Sequence, residues 1–261
     1  MTIPLIVDAH CHTGTAGVLV KPGDPDTSLV RYAVRAVEAG IGQTVIMAPP
    51  VGAYDEANRI VRDVVTENPG RYLPFLFVNP RGDRGRIADA VSRARTWGVC
   101  GIKVHWSDGV VTAEIAEVAR RHRIPILYDP RGDIDVVRCM ARRFVDVAWI
   151  IPHLSSFADD WRAQAALVDE LVRTPNLFTD TSGVRYFDIL ADAVRRAGAQ
   201  KVLFGTDGPY LHPGVELAKI YALHLSPTEE ALVTGGNIRH LTATARTQNR
   251  MAGGRHDFSY N

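Results

Sequence analysis

Residues Ile3–His12 read IPLIVDAHCH, in which five apolar residues are followed directly by an aspartate and two nearby histidines. A short run that is apolar throughout predicts a buried strand, and the lack of polar–apolar alternation favours a parallel strand covered on both faces. The polar residues come at the carboxyl end of this strand. The same arrangement recurs along the rest of the chain, and it points to one class of fold.

Seven further apolar runs follow at regular intervals, separated by stretches with helical periodicity. In the first of these stretches, Leu29, Ala33 and Val37 form the predicted apolar stripe. Eight such units in ~260 residues have the size of a single (β/α)8 TIM barrel, an α/β fold. The alternative is an open doubly wound sheet, but no GxGxxG motif follows the first strand to favour it. The seven runs are Gln43–Ala48, Leu73–Asn79, Val99–His105, Ile124–Tyr128, Val147–Ile151, Asn176–Thr179 and Lys201–Gly205.

Two segments fall outside this pattern. We expect the barrel over residues 1–245 and a polar, aperiodic C-terminal tail over residues 246–261, which is either disordered or a partner-contacting arm. The connection Thr13–Thr27 after the first strand is long and rich in glycine and proline. It is either a lid over the mouth of the barrel or an ordinary surface loop.

The composition narrows the classes of function. Of 261 residues 46% are hydrophobic, and 30 Lys and Arg are balanced by 29 Asp and Glu, for a net charge of +1. This balance gives no net positive electrostatic field that would attract a nucleic acid or an anionic membrane. No run approaches the roughly 18–20 apolar residues of a membrane helix. We therefore expect a small-molecule substrate and neither nucleic-acid nor membrane partners, and we leave open a homodimer.

The cysteines and the N-terminus favour the cytoplasm. Cys11, Cys100 and Cys139 are far apart and form no CxxC pair, which argues against a disulfide framework. The first residues lack the basic region and cleavage site of a signal peptide. Both observations predict a protein of the reducing cytoplasm.

Two histidines and an aspartate form the first candidate site. His10 and His12 are two residues apart at a strand end, so their side chains point the same way, with Cα atoms roughly 6–7 Å apart, and could chelate one cation. Asp207 follows the last predicted strand, which lies beside the first in a closed barrel. Taken singly, the histidines could be polar loop residues, and an aspartate before Gly208-Pro209 could simply form a turn. Their conjunction favours a metal site.

Further polar residues end the other strands. His153 follows the sixth strand, where it could be a ligand, a general acid or base, or a hydrogen-bonded core residue. Lys103 and His105 share one face of the fourth strand. Asp129 ends the fifth, and Arg131 offers a bidentate guanidinium to an anionic group. We expect Lys103, His105 and Arg131 to bind substrate.

In its order of motifs the chain resembles the amidohydrolase superfamily, and within it the amidohydrolase-related (amidohydrolase 2) branch of hydrolases and decarboxylases. The resemblance spans residues ~3–243, and each motif alone is weakly specific. The motifs are VDAHCH at 7–12, ENPGRYL at 67–73, FLFVNP at 75–80, GVCGIK at 98–103, PHL at 152–154, LFGTD at 203–207 and GGNIRHL at 235–241.

This resemblance implies a metal held by His10, His12 and Asp207, with His153 as a catalytic histidine. The chain departs from the family at the end of strand five, where a metal-binding histidine is usual and Asp129 stands. Asp129 could supply an oxygen ligand in its place, or His105 a nitrogen, since both ligand types bind zinc and manganese. We expect a divalent metal, zinc first and manganese as the alternative, with Asp129 as the fourth ligand.

The expected activity is hydrolysis. A metal-activated water would attack a small, carboxylate-bearing amide, lactone or ester, with Asp207 or His153 as the proton acceptor. The first alternative is metal-dependent, non-oxidative decarboxylation of an aromatic or enol acid on the same scaffold. The second is a metal-free lactonase or a non-catalytic ligand-binding barrel. The presence of Asp129 where the family usually has a metal-binding histidine favours this second alternative.

Overall fold

The structure, a computed structural model, describes residues 4–14, 29–157 and 160–244. Eight parallel strands lie in sequence order, each paired with the next. Backbone contacts then join the last strand to the first: Ala9 N donates to Phe204 O at 2.9 Å and His12 N to Gly208 O at 2.6 Å. The strands are β1 (Ile6–His12), β2 (Ile41–Met47), β3 (Tyr72–Phe77), β4 (Gly101–His105), β5 (Ile126–Asp129), β6 (Trp149–Ile151), β7 (Leu177–Asp180) and β8 (Val202–Leu203).

Helices alternate with these strands and cover the barrel. They are α1 (Leu29–Glu38), α2 (Asp55–Glu67), α3 (Ile87–Ala94), α4 (Ala113–His122), α5 (Ile134–Arg143), α6 (Trp161–Arg173), α7 (Phe187–Ala197), α8 (Pro213–Tyr221) and α9 (Pro227–Ala231), and residues 237–244 are also helical. The predicted (β/α)8 TIM barrel is confirmed. The predicted tail at 246–261 and most of the connection Thr13–Thr27 lie outside the described residues. Within the described ranges, no helix is both long and apolar enough to cross a bilayer.

The predicted stripe on α1 is wrong at Val37, and its middle residue, Ala33, is only half-buried. Leu29, Tyr32 and Ala36 are buried, whereas Val37 is 66% exposed. Both sets fit a helical period, but the observed set places the large ring of Tyr32 against the barrel, where its hydroxyl group has a partner. The last strand is also shorter than predicted, because Phe204 N donates to Val233 O instead of continuing the sheet.

A buried carboxylate holds the seam between β1 and β8. Asp8 Oδ1 accepts from the backbone N–H groups of His10 and Thr206, each at 3.0 Å, and Oδ2 accepts from the hydroxyls of Tyr32 at 2.6 Å and Thr206 at 2.5 Å. Burial raises the pKa of Asp8 to about 7, although these hydrogen bonds oppose the shift. A buried polar group with four donors is fully satisfied, so Asp8 fixes the two strands that carry His10, His12 and Asp207.

Candidate active site and metal centre

A cavity of about 1060 Å³ opens at the carboxyl ends of the strands, the end of a TIM barrel at which ligands bind. All eight site residues predicted from the sequence line it. They are His10, His12, Lys103, His105, Asp129, Arg131, His153 and Asp207. Strand order thus brings together side chains that are almost two hundred positions apart in the chain.

His10, His12 and Asp207 form a compact group in the cavity, and His10, His153 and Asp180 form a second one that shares His10. The Nε2 atoms of the two histidines are 3.2 Å apart. Asp207 Oδ1 lies 3.3 Å from His12 Nε2 and 3.6 Å from His10 Nε2. All three side chains are buried, and their ligand atoms lie within 4.8 Å of one another. Burial would raise the pKa of Asp207, but His12 and the neighbouring histidines, when their rings are protonated, lower it to about 2.

The hydrogen bonds on the other ring nitrogens show which nitrogen of each histidine carries the hydrogen. His12 Nδ1 lies 2.8 Å from the carbonyl oxygen of Ala48, which can only accept, so Nδ1 carries the hydrogen. His10 Nδ1 lies 2.9 Å from the carboxylate of Asp180 and donates to it in the same way. Both Nε2 atoms therefore present lone pairs towards each other and towards Asp207. This donor set of two imidazole nitrogens and one carboxylate oxygen fits a divalent cation.

Asp180, at the end of β7, is a functional residue that the sequence reasoning missed. Its Oδ1 accepts from Ser182 N at 3.0 Å and from the Ser182 hydroxyl at 2.5 Å, while Oδ2 accepts from His10. Burial would raise the pKa of Asp180, but the charge and hydrogen bond of His10 lower it. Gly205 makes room for this contact, since a Cβ there would lie 3.1 Å from Asp180 Cβ and 3.2 Å from His10 Cβ. The predicted seventh run ended at Thr179, one residue short of it.

His153 lies beside this group in a strained turn. His153, Leu154 and Ser155 have φ values of 58°, 51° and 80°, in the left-handed region that non-glycine residues rarely adopt, and Asp207 has a φ of 52°. Such conformations persist where surrounding structure fixes them, often at functional sites. His153 Nδ1 donates to the carbonyl oxygen of Ser182 at 2.7 Å, which leaves the lone pair on Nε2.

Lys103 is buried in the cavity wall, with Nζ 3.3 Å from His10 Nε2. Burial lowers the pKa of Lys103, and the charges of Asp129, Asp207 and Asp180 oppose this. Its ammonium is thus directed at the lone pair of a proposed metal ligand.

His105 and Asp129 contact each other instead of joining the three-residue group. His105 Nδ1 accepts from Ser107 N at 3.3 Å, so Nε2 carries the hydrogen, and Nε2 lies 3.4 Å from Asp129 Oδ2. Asp129 Oδ1 accepts from Arg131 N at 2.9 Å. In the described part of the chain, the groups of three His, Cys, Asp or Glu with ligand atoms within 4.8 Å contain neither residue. Asp129 as a fourth ligand remains a prediction.

Aromatic and cationic side chains form the outer wall of the cavity. The Arg131 guanidinium lies 4.1 Å from the ring centre of Trp106, and that of Arg162 lies 4.7 Å from the ring of Trp161. Phe157 packs edge-on against His153, with centroids 5.0 Å apart. A wall of this kind suits a flat, anionic small molecule.

Tyr210 is a second residue that the sequence reasoning missed. Its ring lies 5.7 Å from that of His12, and its hydroxyl is buried without a hydrogen-bond partner among the described residues. Burial and the charge of Asp207 raise the pKa of Tyr210 above its ordinary value. A neutral, unpaired donor in an active-site cavity is available to a ligand oxygen.

The family model for amidohydrolases matches residues 7–241, which include every residue of the cavity described above. The chain therefore belongs to the amidohydrolase family and is an enzyme of this family. The resemblance drawn from the sequence motifs is confirmed.

Solved structures with the same fold include both hydrolytic and decarboxylating enzymes. An amidohydrolase from Burkholderia multivorans with bound zinc has a TM-score of 0.74, 16% identity, and coverage of 92% of this chain and 99% of that one. A Polaromonas dihydroxybenzoic acid decarboxylase with manganese and 2-nitroresorcinol has a TM-score of 0.72 and 17% identity, over 95% and 99%. A Pseudomonas putida protein described as a 2-pyrone-4,6-dicarboxylic acid hydrolase has a TM-score of 0.73 and 16% identity, over 93% and 99%.

Two curated proteins also match part of the chain. They are the small ribosomal subunit protein uS3 of Trichormus variabilis and of a Nostoc species, each 28% identical over 138 residues. The match covers 52% of this chain, which spans about half of the length of these relatives. A similarity of this extent carries no argument about the cavity.

Proposed function

We propose that the protein is a metal-dependent hydrolase of a small, carboxylate-bearing amide, lactone or ester. The observation that carries this proposal is the convergence of His10 Nε2, His12 Nε2 and Asp207 Oδ1 within 4.8 Å at the inner end of the cavity. The contacts of His10 Nδ1 with Asp180 and of His12 Nδ1 with Ala48 orient the two imidazoles before any cation binds.

A bound cation would lower the pKa of water and polarise the substrate carbonyl. The side chains of the protein supply the proton transfers and the hydrogen bonds to the substrate. His153, with its hydrogen on Nδ1, can accept a proton from the attacking water at Nε2 and return it to the leaving group. The carboxylate of Asp207 is the second acceptor within the site. Tyr210 and Lys103 lie where they can donate hydrogen bonds to substrate oxygens.

We expect zinc, with manganese as the alternative. The nitrogen-rich set of two imidazoles and one carboxylate suits either ion. The related folds support both, since the Burkholderia structure holds zinc and the Polaromonas structure holds manganese.

Metal analysis of purified protein and of two variants tests the site. The wild-type protein should bind about one equivalent of zinc or manganese, and His10→Ala and Asp207→Ala should each lose it. His105→Ala, a change in the same cavity outside the three-residue group, serves as the matched control and should keep the metal. Stoichiometric metal that survives in both His10→Ala and Asp207→Ala would remove the proposed site.

The second candidate is non-oxidative decarboxylation of an aromatic or enol acid. It is supported by the aromatic wall of Trp106, Phe157 and Trp161 with Arg131 and Arg162, which suits an aromatic carboxylate. One assay separates the two. Hydrolysis incorporates labelled oxygen from water into the product without gas release, whereas decarboxylation releases CO₂ and incorporates a solvent hydrogen on carbon.

A further inference from the structure

We propose that Lys103 and a divalent cation compete for the same lone pair of His10, and that Asp129 holds the Lys103 ammonium when the cation is bound. This inference rests on the proposed metal site at His10, His12 and Asp207. It assigns Asp129, which stands at the end of β5, to the lysine instead of to the metal.

The competition follows from the hydrogen bonds of His10. Its Nδ1 donates to Asp180 at 2.9 Å, so Nε2 has one lone pair in the plane of the ring. Lys103 Nζ lies 3.3 Å from that atom. A metal ion needs the same lone pair, at the same place. The Lys103–His10 hydrogen bond must therefore break before a cation can be coordinated.

Asp129 is the carboxylate placed to receive the released ammonium. β4 and β5 are neighbours, with Lys103 paired to Leu127 and His105 to Asp129, so Asp129 lies two residues further towards the cavity mouth. No carboxylate of the described ranges lies within 4.0 Å of Lys103 Nζ, so the ammonium still has a salt bridge to gain. Asp180 is fully engaged by His10 and Ser182, and Asp207 is required by the cation. Asp129, whose Oδ2 contacts the ring of His105 at 3.4 Å, is left as the acceptor among the described carboxylates.

A double-mutant cycle of metal affinity tests both halves of the proposal. Lys103→Met keeps the length of the apolar stem and removes the ammonium. It should bind zinc and manganese on the order of tenfold more tightly than the wild-type protein, measured by competition with a chromophoric chelator at mildly alkaline pH. Asp129→Asn should weaken binding, because the displaced ammonium then lacks its acceptor. In the Lys103→Met background, the Asp129→Asn change should have a much smaller effect, since there is no ammonium left to hold and only the carboxylate charge is lost.

The controls separate a failure of this inference from a failure of the proposed site. Arg131→Met also removes one positive charge from the cavity but breaks no contact with a ligand atom, and it should change the affinity far less than Lys103→Met. If Lys103→Met binds the metal through His10 no more tightly than the wild-type protein does, the proposed competition is wrong. If Asp129→Asn weakens binding as much in the Lys103→Met background as in the wild-type background, Asp129 acts on the cation and not on the lysine, and the second half is overturned. The remaining outcome is that neither the wild-type protein nor Lys103→Met binds metal through His10, so that His10→Ala changes nothing. That outcome removes the metal site itself and this inference with it.

Discussion

The carboxylate of Asp180 lies 2.9 Å from Nδ1 of His10, across the imidazole ring from the atom that faces Asp207. This contact sets the tautomer of His10 and the orientation of its ring. Partners of this kind behind metal-binding histidines fix the tautomer and the ring orientation, and their loss typically costs about 10- to 100-fold in metal affinity.

We therefore expect Asp180→Asn to weaken zinc binding by about 10- to 100-fold. The amide can donate to Nδ1, which favours the tautomer with its hydrogen on Nε2 and removes the lone pair from the site. Isothermal titration with zinc measures this change. Asp146→Asn, an exposed carboxylate at the other end of the barrel, is the control, and equal affinities for the two variants would contradict the prediction.

Tyr32→Phe should destabilise the barrel in a pH-dependent way. The hydroxyl of Tyr32 donates to Asp8, whose pKa burial raises to about 7, so removal of this donor raises the pKa further. Folding raises the pKa of Asp8 from 3.8 to about 7, so the folded protein binds this proton more tightly than the unfolded chain does. The stability that this group contributes is therefore fully present below pH 3.8 and is lost as the pH rises through about 7. The variant loses most where Asp8 is ionised. We expect a deficit in the free energy of unfolding of about 1 kcal/mol near pH 5, rising to roughly 2–3 kcal/mol near pH 8.

Denaturant unfolding at the two pH values checks this. Tyr186→Phe changes an exposed tyrosine and should leave stability nearly unchanged at both. A deficit for Tyr32→Phe that is constant or shrinks with rising pH would show that Asp8 is not the partner that matters.

Tyr210→Phe should separate stability from activity. Its buried hydroxyl has no partner among the described residues, so its removal should change the free energy of unfolding by less than about 0.5 kcal/mol. If the hydroxyl donates to the substrate during turnover, kcat should fall about tenfold. Unfolding curves, and steady-state kinetics on a substrate identified by the labelled-oxygen or CO₂ assay, give both numbers. A loss of stability without a loss of kcat would mean that the hydroxyl serves the fold.

Arg131→Met should weaken the binding of an aromatic acid without disturbing the metal site. The guanidinium stacks on Trp106 at the mouth, 4.1 Å from the ring centre, and offers a bidentate contact to a carboxylate. We expect the dissociation constant for benzoate, used as a probe in calorimetry, to rise about tenfold with the zinc content unchanged. Arg131→Lys should recover only part of this affinity, because a point charge neither stacks nor forms the paired contact. Full recovery in Arg131→Lys would assign the effect to charge alone.

Much of the architecture could be predicted because it rests on periodic patterns. Wholly apolar runs separated by helical stretches indicate a parallel barrel, and closure then places residues after the last strand beside those at the end of the first. His10, His12 and Asp207 meet for that reason. The burial of Cys11 on the opposite face of β1 follows from the same period of two.

The contacts that tune the site could not be predicted in this way. Asp180 lies one residue beyond the apolar run of its strand, so nothing in the run distinguishes it. Whether Asp129 contacts a metal, a lysine or a histidine depends on ring tautomers and on distances of a few tenths of an ångström between neighbouring strands. On α1, the apolar pattern allowed two faces, and the hydrogen bond of Tyr32 to Asp8 is compatible with one of them.

His10 and His12 belong to the first strand of the barrel, and Asp207 follows the last. A cation bound by these three residues would therefore join the first and last strands where the barrel closes. By mass action, occupancy adds RT ln(1 + [L]/Kd) to the resistance of the whole domain to unfolding. If the proposed cation is bound, chelators should lower the melting temperature of the wild-type protein as well as its turnover, because one ion would then support both the closure of the barrel and the reaction.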